Sequence, residues 1–462
     1  MKKKMINQQI ENLAKQQTLR FHMPGHKGKR KDLLFASEYD YTEVPGADNL
    51  HQPEGMIAEA QDKMARIYGS EESAILVNGT TTGLQSAIMG CFSEGDRVLI
   101  PVNCHRSVYA GLALGGVEGV YFMPECDPKM GFASEVLPEQ AESLLRKYPD
   151  VKGMLLVSPT YYGTVSDVRK IAEILHREGK ILIVDEAHGA HLKFSERLPE
   201  DSVTAGADIV VQSTHKILGS FTQSSLLHFQ GERVDRSRVK RFLAMLQSSS
   251  PSYPLMMSVE NAVDEAADHG AAVFEAIADF WDACQEKGWG PNLTLYGRDQ
   301  RHYDKSKWLF QVKRGTGLEV EKRLFESFNI QCEMSGGDHV LAMTGIGTTR
   351  DELEKLVEAI RCIDPELTNK PPAAACCGSH FNYNQILSMR EALFTGEICK
   401  VPLRSAAGMT AGDFIIPYPP GIPAILPGGR IDQTVIDDLL ERKRRGETIV
   451  GMDENGRITI IP

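Results

Sequence analysis

One lysine stands where a buried strand ends, and that placement constrains this chain more than any other feature. Ala207 to Gln212 is a short apolar run rich in β-branched residues, which reads as a buried strand. Ser213-Thr214-His215-Lys216 follows it directly, and a second apolar run, Ser224 to Phe229, comes shortly after. An ammonium held between two core strands is costly unless it is paired or used covalently. The bland alternative is a surface lysine on a loop leaving the strand.

The stretches before it share one rhythm. Ser73 to Val77, Arg97 to Pro101, Gly153 to Val157 and Lys180 to Val184 read as strands, with helical segments between them. Strands alternating with helices of this length imply an α/β fold with a mostly parallel, doubly covered sheet and right-handed crossovers. Ligands gather at the C-terminal edge of such sheets, and the strand ends here carry polar side chains. Asn78-Gly79-Thr80-Thr81-Thr82-Gly83 leads into a helix, which suits an anion such as phosphate; an ordinary threonine N-cap is the plainer reading. His105 stands between a strand and a helix, as a cap or as a flat ring facing a planar ligand. Asp185 ends the strongest strand and is followed by Glu186-Ala187-His188-Gly189-Ala190-His191. It is a helix cap or a carboxylate pointing into the crevice. A carboxylate, an amine and a hydroxyl-lined anion site on neighbouring strand ends suit pyridoxal phosphate, whose aldehyde forms a Schiff base with lysine.

Composition limits the partners. The chain has 462 residues, 42% hydrophobic, with net charge -11 and a pI of about 5.7. It has no basic stripe, so a small molecule is expected rather than nucleic acid. The opening residues are charged but lack an apolar stretch of the signal-peptide type, and no run reaches membrane-spanning length. Nine scattered cysteines suggest a reducing, cytoplasmic setting, with neither a disulfide framework nor a metal site. His22, His26 and His51 lack ligand spacing.

The expected organisation is an N-terminal arm (1–55), a cofactor-binding large domain (56–262), a smaller α/β domain (263–368) and a C-terminal α+β domain (369–462). The arm is dense in Gly, Pro, His and Asp, so it must lie on another surface or serve a site. A break is expected at "QSSSPSYP", then a long helix over 258–287. The clearest linker is "DPELTNKPPAAACCGSH".

Seven separated stretches agree with one family. "FHMPGHKGK", "EVPGADNLHQPEG", "VNGTTTGLQSAI", "CHRSVYAGL", "VDEAHGAH", "STHK" and "IIPYPPGIPAILPGG" occur in order. The chain thereby resembles the bacterial Orn/Lys/Arg decarboxylases of the pyridoxal-phosphate fold-type I superfamily, from about residue 19 to about residue 430. The resemblance implies roles by position. Lys216 is the Schiff-base lysine, Asp185 the partner of the pyridine nitrogen and His105 the ring-stacking histidine. Gly79, Thr80, Thr81 and Ser213 belong to the phosphate site. His215 is a further cofactor contact, Ala187 packs beneath the ring, and His188 fills a slot that is aromatic in longer members. Ser248 and Ser249 resemble a hydroxyl segment that reaches the neighbouring subunit's phosphate, which implies a homodimer or dimer of dimers with shared sites. The longer members' receiver-like wing domain is not in this sequence, and "PGGR" (Pro427 to Arg430) replaces the usual "PGE".

The implied reaction is decarboxylation of arginine, lysine or ornithine to agmatine or a diamine. Glu43, Asp48 and Asp413 are candidates for the substrate's distal cation. Rival readings are another fold-type I reaction, such as an aminotransferase or lyase, and a non-catalytic cofactor-binding regulator. An aminotransferase needs an arginine for the substrate carboxylate, and Arg350 and Arg361 lie in the expected small domain.

Overall fold

The computed structural model describes residues 18–22, 24–27, 29, 39–44, 46–300, 302–368, 384–418, 421–444 and 446–462. Leu19–Phe21 forms a short strand, β1, and Met56–Tyr68 forms helix α1. There follow β2 (Glu72–Leu76), α2 (Gly79–Cys91), β3 (Arg97–Pro101), α3 (Arg106–Gly115), β4 (Glu118–Phe122), α4 (Pro138–Lys147), β5 (Gly153–Val157), α5 (Val168–Arg177), β6 (Ile181–Asp185), β7 (Ile209–Ser213) and β8 (Ser225–Phe229). Strands β2 to β8 make one seven-stranded sheet in the order β2-β8-β7-β6-β5-β3-β4. Neighbours from β7 to β4 are parallel, while β8 runs antiparallel to both β7 and β2. That reversal lets β7 and β8 be joined by a short segment instead of a helical crossover. The segment carries Lys216.

The sheet is apolar on both faces because helices cover both. Side chains alternate across it. Leu155, Ile183, Ile209 and Val211 pack with Leu84, Ile88, Val108 and Leu112 of α2 and α3. Met154, Leu156, Leu182, Val184 and Val210 pack with Ala141, Leu145, Ile171 and Leu175 of α4 and α5. Helix α5 shows how one helix is specified: Val168, Ile171, Ala172 and Leu175 are buried at helical spacing, and Asp167 caps the start by accepting from the Lys170 N–H.

Beyond the sheet come α6 (Arg236–Leu246) and the 35-residue α7 (Tyr253–Lys287). Ser252 caps α7 with Pro254 in its first turn, so the helix begins before the expected residue 258. It runs unbroken through the 262/263 boundary. A four-stranded antiparallel sheet follows, built from β9 (Leu293–Leu295) and β10 (Lys307–Val312), then after α8 (Gly317–Phe328) and β11 (Ile330–Cys332) from β12 (Met334–Ser335) and β13 (His339–Met343). Its order is β12-β13-β10-β9, and α9 (Arg350–Ile363) closes this part. β1 pairs in parallel with β11, Leu19 opposite Ile330. The arm is thus docked on this second α/β layer.

Residues 369–383, which include most of the expected linker, lie outside the described residues. The C-terminal part has α10 (Met389–Phe394), β14 (Cys399–Pro402), β15 (Thr410–Ala411), β16 (Ile416–Tyr418), α11 (Gln433–Arg444), β17 (Thr448–Val450) and β18 (Arg457–Ile461). Its strands form the antiparallel sets β14-β18-β15 and β16-β17 over a core that includes Ile415, Ile431, Leu439 and Ile458. Among the described residues, no helix is long and apolar enough to cross a membrane.

Candidate active site

A cleft of about 520 Å³ opens at the C-terminal ends of the parallel strands. The lining side chains include His105 after β3, Asp185 ending β6, Ala187 and His188 just beyond it, Ser213 ending β7, and His215 and Lys216. The start of α2 contributes Asn78, Gly79, Thr80 and Thr81. Gly79 sits at φ +77, a conformation that favours glycine, at the first residue of the helix. The Thr80 hydroxyl lies 2.6 Å from that of Ser213 and 3.0 Å from that of Ser225. A helix N-terminus, a glycine turn and clustered hydroxyls form a cradle for phosphate.

Asp185 is buried, and its Oδ1 accepts from the Ala187 N–H at 3.1 Å. Burial pushes its carboxyl up, while Lys216 pulls it down. Burial pushes the Lys216 amine below the ordinary lysine value, against the pull of Asp185 and Glu333. The two groups leave adjacent parallel strands. His105 does both jobs that its position allows. It caps α3, its Nδ1 accepting from the Ser107 N–H, and it lines the cleft as a neutral ring held down to about 4, first by desolvation and then by Lys216. His215 donates from Nδ1 to the Ser224 carbonyl at 2.9 Å and is pushed down to about 4 by burial. These side chains fit pyridoxal phosphate: a carboxylate with little solvation for a ring nitrogen, a flat imidazole for the ring, an amine for the aldehyde, and the cradle for the phosphate.

Other expected residues stand elsewhere. Ser248 and Ser249 are exposed on the turn between α6 and α7, outside the residues lining this cleft. The Ser248 N–H donates to Asn78 Oδ1 at 3.4 Å, and its carbonyl bonds to His51 Nε2 at 2.8 Å. Asp48 is a cap for the start of α1 rather than a cleft carboxylate. Its Oδ1 accepts from the N–H groups of Asn49 and Glu54, and its Oδ2 from those of Gly55 and Ile57. Glu43 is half-buried and accepts from the Thr42 hydroxyl, and Asp413 is exposed and accepts from the Phe414 N–H. Neither lines the cleft. Besides Asp185, its acidic lining is Asp338, Asp438 and Glu447, with Arg442 paired to the last two at 2.7 and 3.1 Å.

Arg350 and Arg361, the arginines considered for an aminotransferase, are also outside the cleft lining. Arg350 packs over Phe280 and pairs with Glu354, and Arg361 lies over Trp289. The "PGGR" turn packs against residues 384–388, with Gly428 against the Leu387 carbonyl, whereas Pro417, Gly421, Ile422 and Ala424 of the preceding motif line the cleft. Pro419 and Pro420 lie outside the described residues.

Sequence reading missed Lys307. It begins the apolar strand β10, where a lysine reads as an edge residue, yet it is fully buried with its Nζ 2.8 Å from His188 Nδ1. It also missed Lys27, whose Nζ donates to the carbonyls of His22 and Met343 and is pushed down to about 7, mainly by burial. The available signal for Lys307 was a lysine opening a segment that otherwise reads as an apolar strand.

The comparisons with known proteins agree with this geometry. Residues 6–280 match the model for "Orn/Lys/Arg decarboxylase, major domain", and residues 384–454 match that for the C-terminal domain. A Bacillus anthracis protein named arginine decarboxylase is 31% identical over 460 residues, spanning 96% of this chain and 93% of that one. A Bacillus subtilis protein of the same name is 31% identical, spanning 96% and 95%. The crystal structure of a lysine decarboxylase from Francisella novicida shares the fold with a TM-score of 0.75 at 21% identity, covering 90% of this chain and 73% of that one. The constitutive lysine decarboxylase of Escherichia coli gives 0.72 at 20%, covering 87% and 72%. With the cleft and both family matches in place, the chain belongs to the pyridoxal-phosphate-dependent Orn/Lys/Arg decarboxylases.

Proposed function

We propose that this member of the family decarboxylates arginine to agmatine. The observation that carries the decarboxylase reading is the convergence of Asp185, Lys216 and His105 on one cleft. Arginine is favoured by the names of the relatives at 31% identity, whereas two relatives named lysine decarboxylase are 23% and 27% identical.

Lys216 would carry the cofactor, Asp185 would pair with its ring nitrogen, and His105 would lie against its ring with Ala187 opposite. Gly79, Thr80, Thr81 and Ser213 would hold its phosphate, beside His215. When bound, pyridoxal phosphate supplies an aldehyde for the substrate amine and a ring that accepts the electron pair left by CO2. Asp185, poorly solvated and charged, acts by preorganised electrostatics. His188 and Lys216, hydrogen-bonded at 3.0 Å, are placed to deliver the proton that replaces the carboxyl group. Asp338 gives the cationic end of the substrate an acidic wall.

The assembly proposed is a homodimer or a dimer of dimers. Ser248 and Ser249 are exposed, and the segments around them expose Tyr41, Val44, Met245 and Met257. Such a patch suits burial against a second copy.

The test is incubation of purified protein with arginine, lysine and ornithine, with and without a keto acid, following CO2 and amine. Agmatine formed without keto-acid consumption is expected. Keto-acid-dependent amine loss without CO2 would overturn the decarboxylase reading, and cadaverine or putrescine as the main product would overturn the substrate.

A further inference from the structure

A second buried lysine stands behind the reactive one. Lys307 Nζ is 2.8 Å from His188 Nδ1, and His188 Nε2 is 3.0 Å from Lys216 Nζ. One imidazole therefore bridges two amines from different sheets. An ammonium only donates, and a neutral imidazole offers one N–H and one lone pair. Two ammonium groups cannot both bond to it. The bridge is satisfied when the three groups together carry at most a single charge. The ring is the costliest place for it: burial, then Lys216 and Lys307, hold His188 well below the ordinary histidine value. The charge therefore rests at one end, and the other end is a free amine accepting the ring N–H.

The surroundings of both ends are charged. Lys307 faces Asp304 from the loop before β10, Glu333 from the turn between β11 and β12, and Lys27 from the arm. Lys216 faces Asp185, Glu333 and His105. His188 also feels His191 and His215, and its ring meets Tyr161 edge-on at 4.7 Å. Burial and the charge of Lys216 bring Lys307 down to about 8, against the pull of Asp304 and Glu333.

We infer that Lys307, acting through His188, sets the protonation of Lys216, keeping it a free amine while the charge rests on Lys307 and returning a proton to it on demand. In the return step, Lys307 Nζ gives a proton to Nδ1 while Nε2 gives its own proton to Lys216 Nζ. Lys307 ends as the amine, Lys216 as the ammonium, and the imidazole stays neutral with its tautomer exchanged. Lys307 does not line the cleft, so it is a positioning residue. The inference rests on Lys216 being the reactive amine of the proposed function.

The experiment uses the full chain freed of cofactor. Trace acetic anhydride labels the lysines across pH 6 to 11, and mass spectrometry reads Lys216. The wild-type midpoint is expected below that of an ordinary lysine. Lys307→Met removes the charge and should raise the Lys216 midpoint by about one unit, roughly a tenfold loss of reactivity at pH 7. Lys307→Arg keeps a charged donor and should restore the wild-type midpoint. In the unmutated protein, 15N spectra, with His188 identified by difference from His188→Asn, should show the proton on Nε2. An unchanged Lys216 midpoint in Lys307→Met, or a proton on Nδ1 of His188 in wild type, overturns the inference. Neither result depends on turnover. If the wild type titrates as expected but releases no CO2 from any of the three amino acids, the proposed function fails instead.

Discussion

The backbone N–H of Gly25 donates to the carbonyl of His215 at 2.9 Å, so the N-terminal arm is tied to the residue before Lys216. The Gly25 carbonyl accepts from Gly347, and the Ile217 carbonyl accepts from Ile346. The arm, the Lys216 segment and the turn after β13 thus share one backbone junction. A Cβ at Gly25 would stand 2.2 Å from the Ile217 oxygen and 2.3 Å from that of Leu218. Neither backbone atom can swing aside. Gly25→Ala should therefore displace the Lys216 segment and cut kcat by roughly a hundredfold, the scale of an ångström misplacement at a reacting centre. Thermal unfolding should show a loss of about 1 to 3 kcal/mol from overpacking. Gly396→Ala, where a Cβ meets nothing within 4 Å, should change neither.

This junction also shows what sequence could and could not tell. The strand ends carrying His105, Asp185 and Lys216 were legible because short continuous apolar runs end abruptly in polar residues. The antiparallel insertion of β8 next to β7 was not, since run length says nothing of direction. The arm was legible as a loop that must serve a site, but its contacts with His215 and Gly347 are far apart in sequence. Asp48 was misjudged because a carboxylate that caps a helix from several residues upstream looks, in sequence, like any exposed acid. Lys307 was missed because its burial depends on His188 and Asp304, which arrive from other parts of the chain.

Asp185→Asn keeps the shape of the side chain and removes the charge. The Ala187 N–H can still be accepted by the amide oxygen. If Asp185 acts electrostatically, kcat should fall by roughly 10² to 10³, as when a preorganised charge-stabilising group is removed, with a smaller effect on KM. Steady-state kinetics with arginine check this, and a variant with kcat within twofold of wild type would remove Asp185 from the mechanism.

Histidines buried as neutral rings predict acid lability. His228 is pushed down to about 3 by burial, between the Ser73 hydroxyl and Gln212 Oε1, His215 to about 4, and His188 well below the ordinary value. In the unfolded chain each titrates near 6.5. Below that pH the unfolded state binds more protons than the folded one, so stability falls as pH falls, from about 6.5 down to the folded values. Three such rings give a slope approaching about 4 kcal/mol per pH unit near pH 5. Denaturant unfolding of the cofactor-free protein at pH 7.5, 6 and 5 should show the midpoint dropping steadily. Proton uptake on unfolding near pH 5 should be close to three from these groups, and His228→Gln should lower it by about one.

The buried pair His191–Asp304 should be structural rather than catalytic. The Nε2–Oδ1 distance is 3.0 Å, both side chains are fully enclosed, and the Ser306 N–H also donates to Asp304 Oδ1. Burial opposes the charge on Asp304, yet His191 and Lys307 hold its carboxyl below the usual range. Removing one partner leaves the other buried without its complement, which costs about 3 to 5 kcal/mol. Asp304→Ala should therefore lower the denaturation midpoint strongly. Equilibrium unfolding in urea measures it, and a loss under about 1 kcal/mol would mean the pair is not held as described.

Asp338 separates substrate binding from chemistry. It lines the cleft from the turn between β12 and β13, and its Oδ1 is 2.9 Å from His339 Nδ1. Asp438 and Glu447 also line the cleft but are already matched by Arg442, so their charge is largely answered within the protein. With Asp185 proposed for the cofactor, a guanidinium entering the cleft meets its least compensated remaining carboxylate at Asp338. A charged hydrogen bond is worth about 1.5 to 3 kcal/mol, or roughly ten- to a hundredfold in affinity. Asp338→Asn should raise KM for arginine by that factor and leave kcat within a few-fold, because the distal cation is far from the bond that breaks. Unchanged KM, or a loss confined to kcat, would move the cation site elsewhere on the wall.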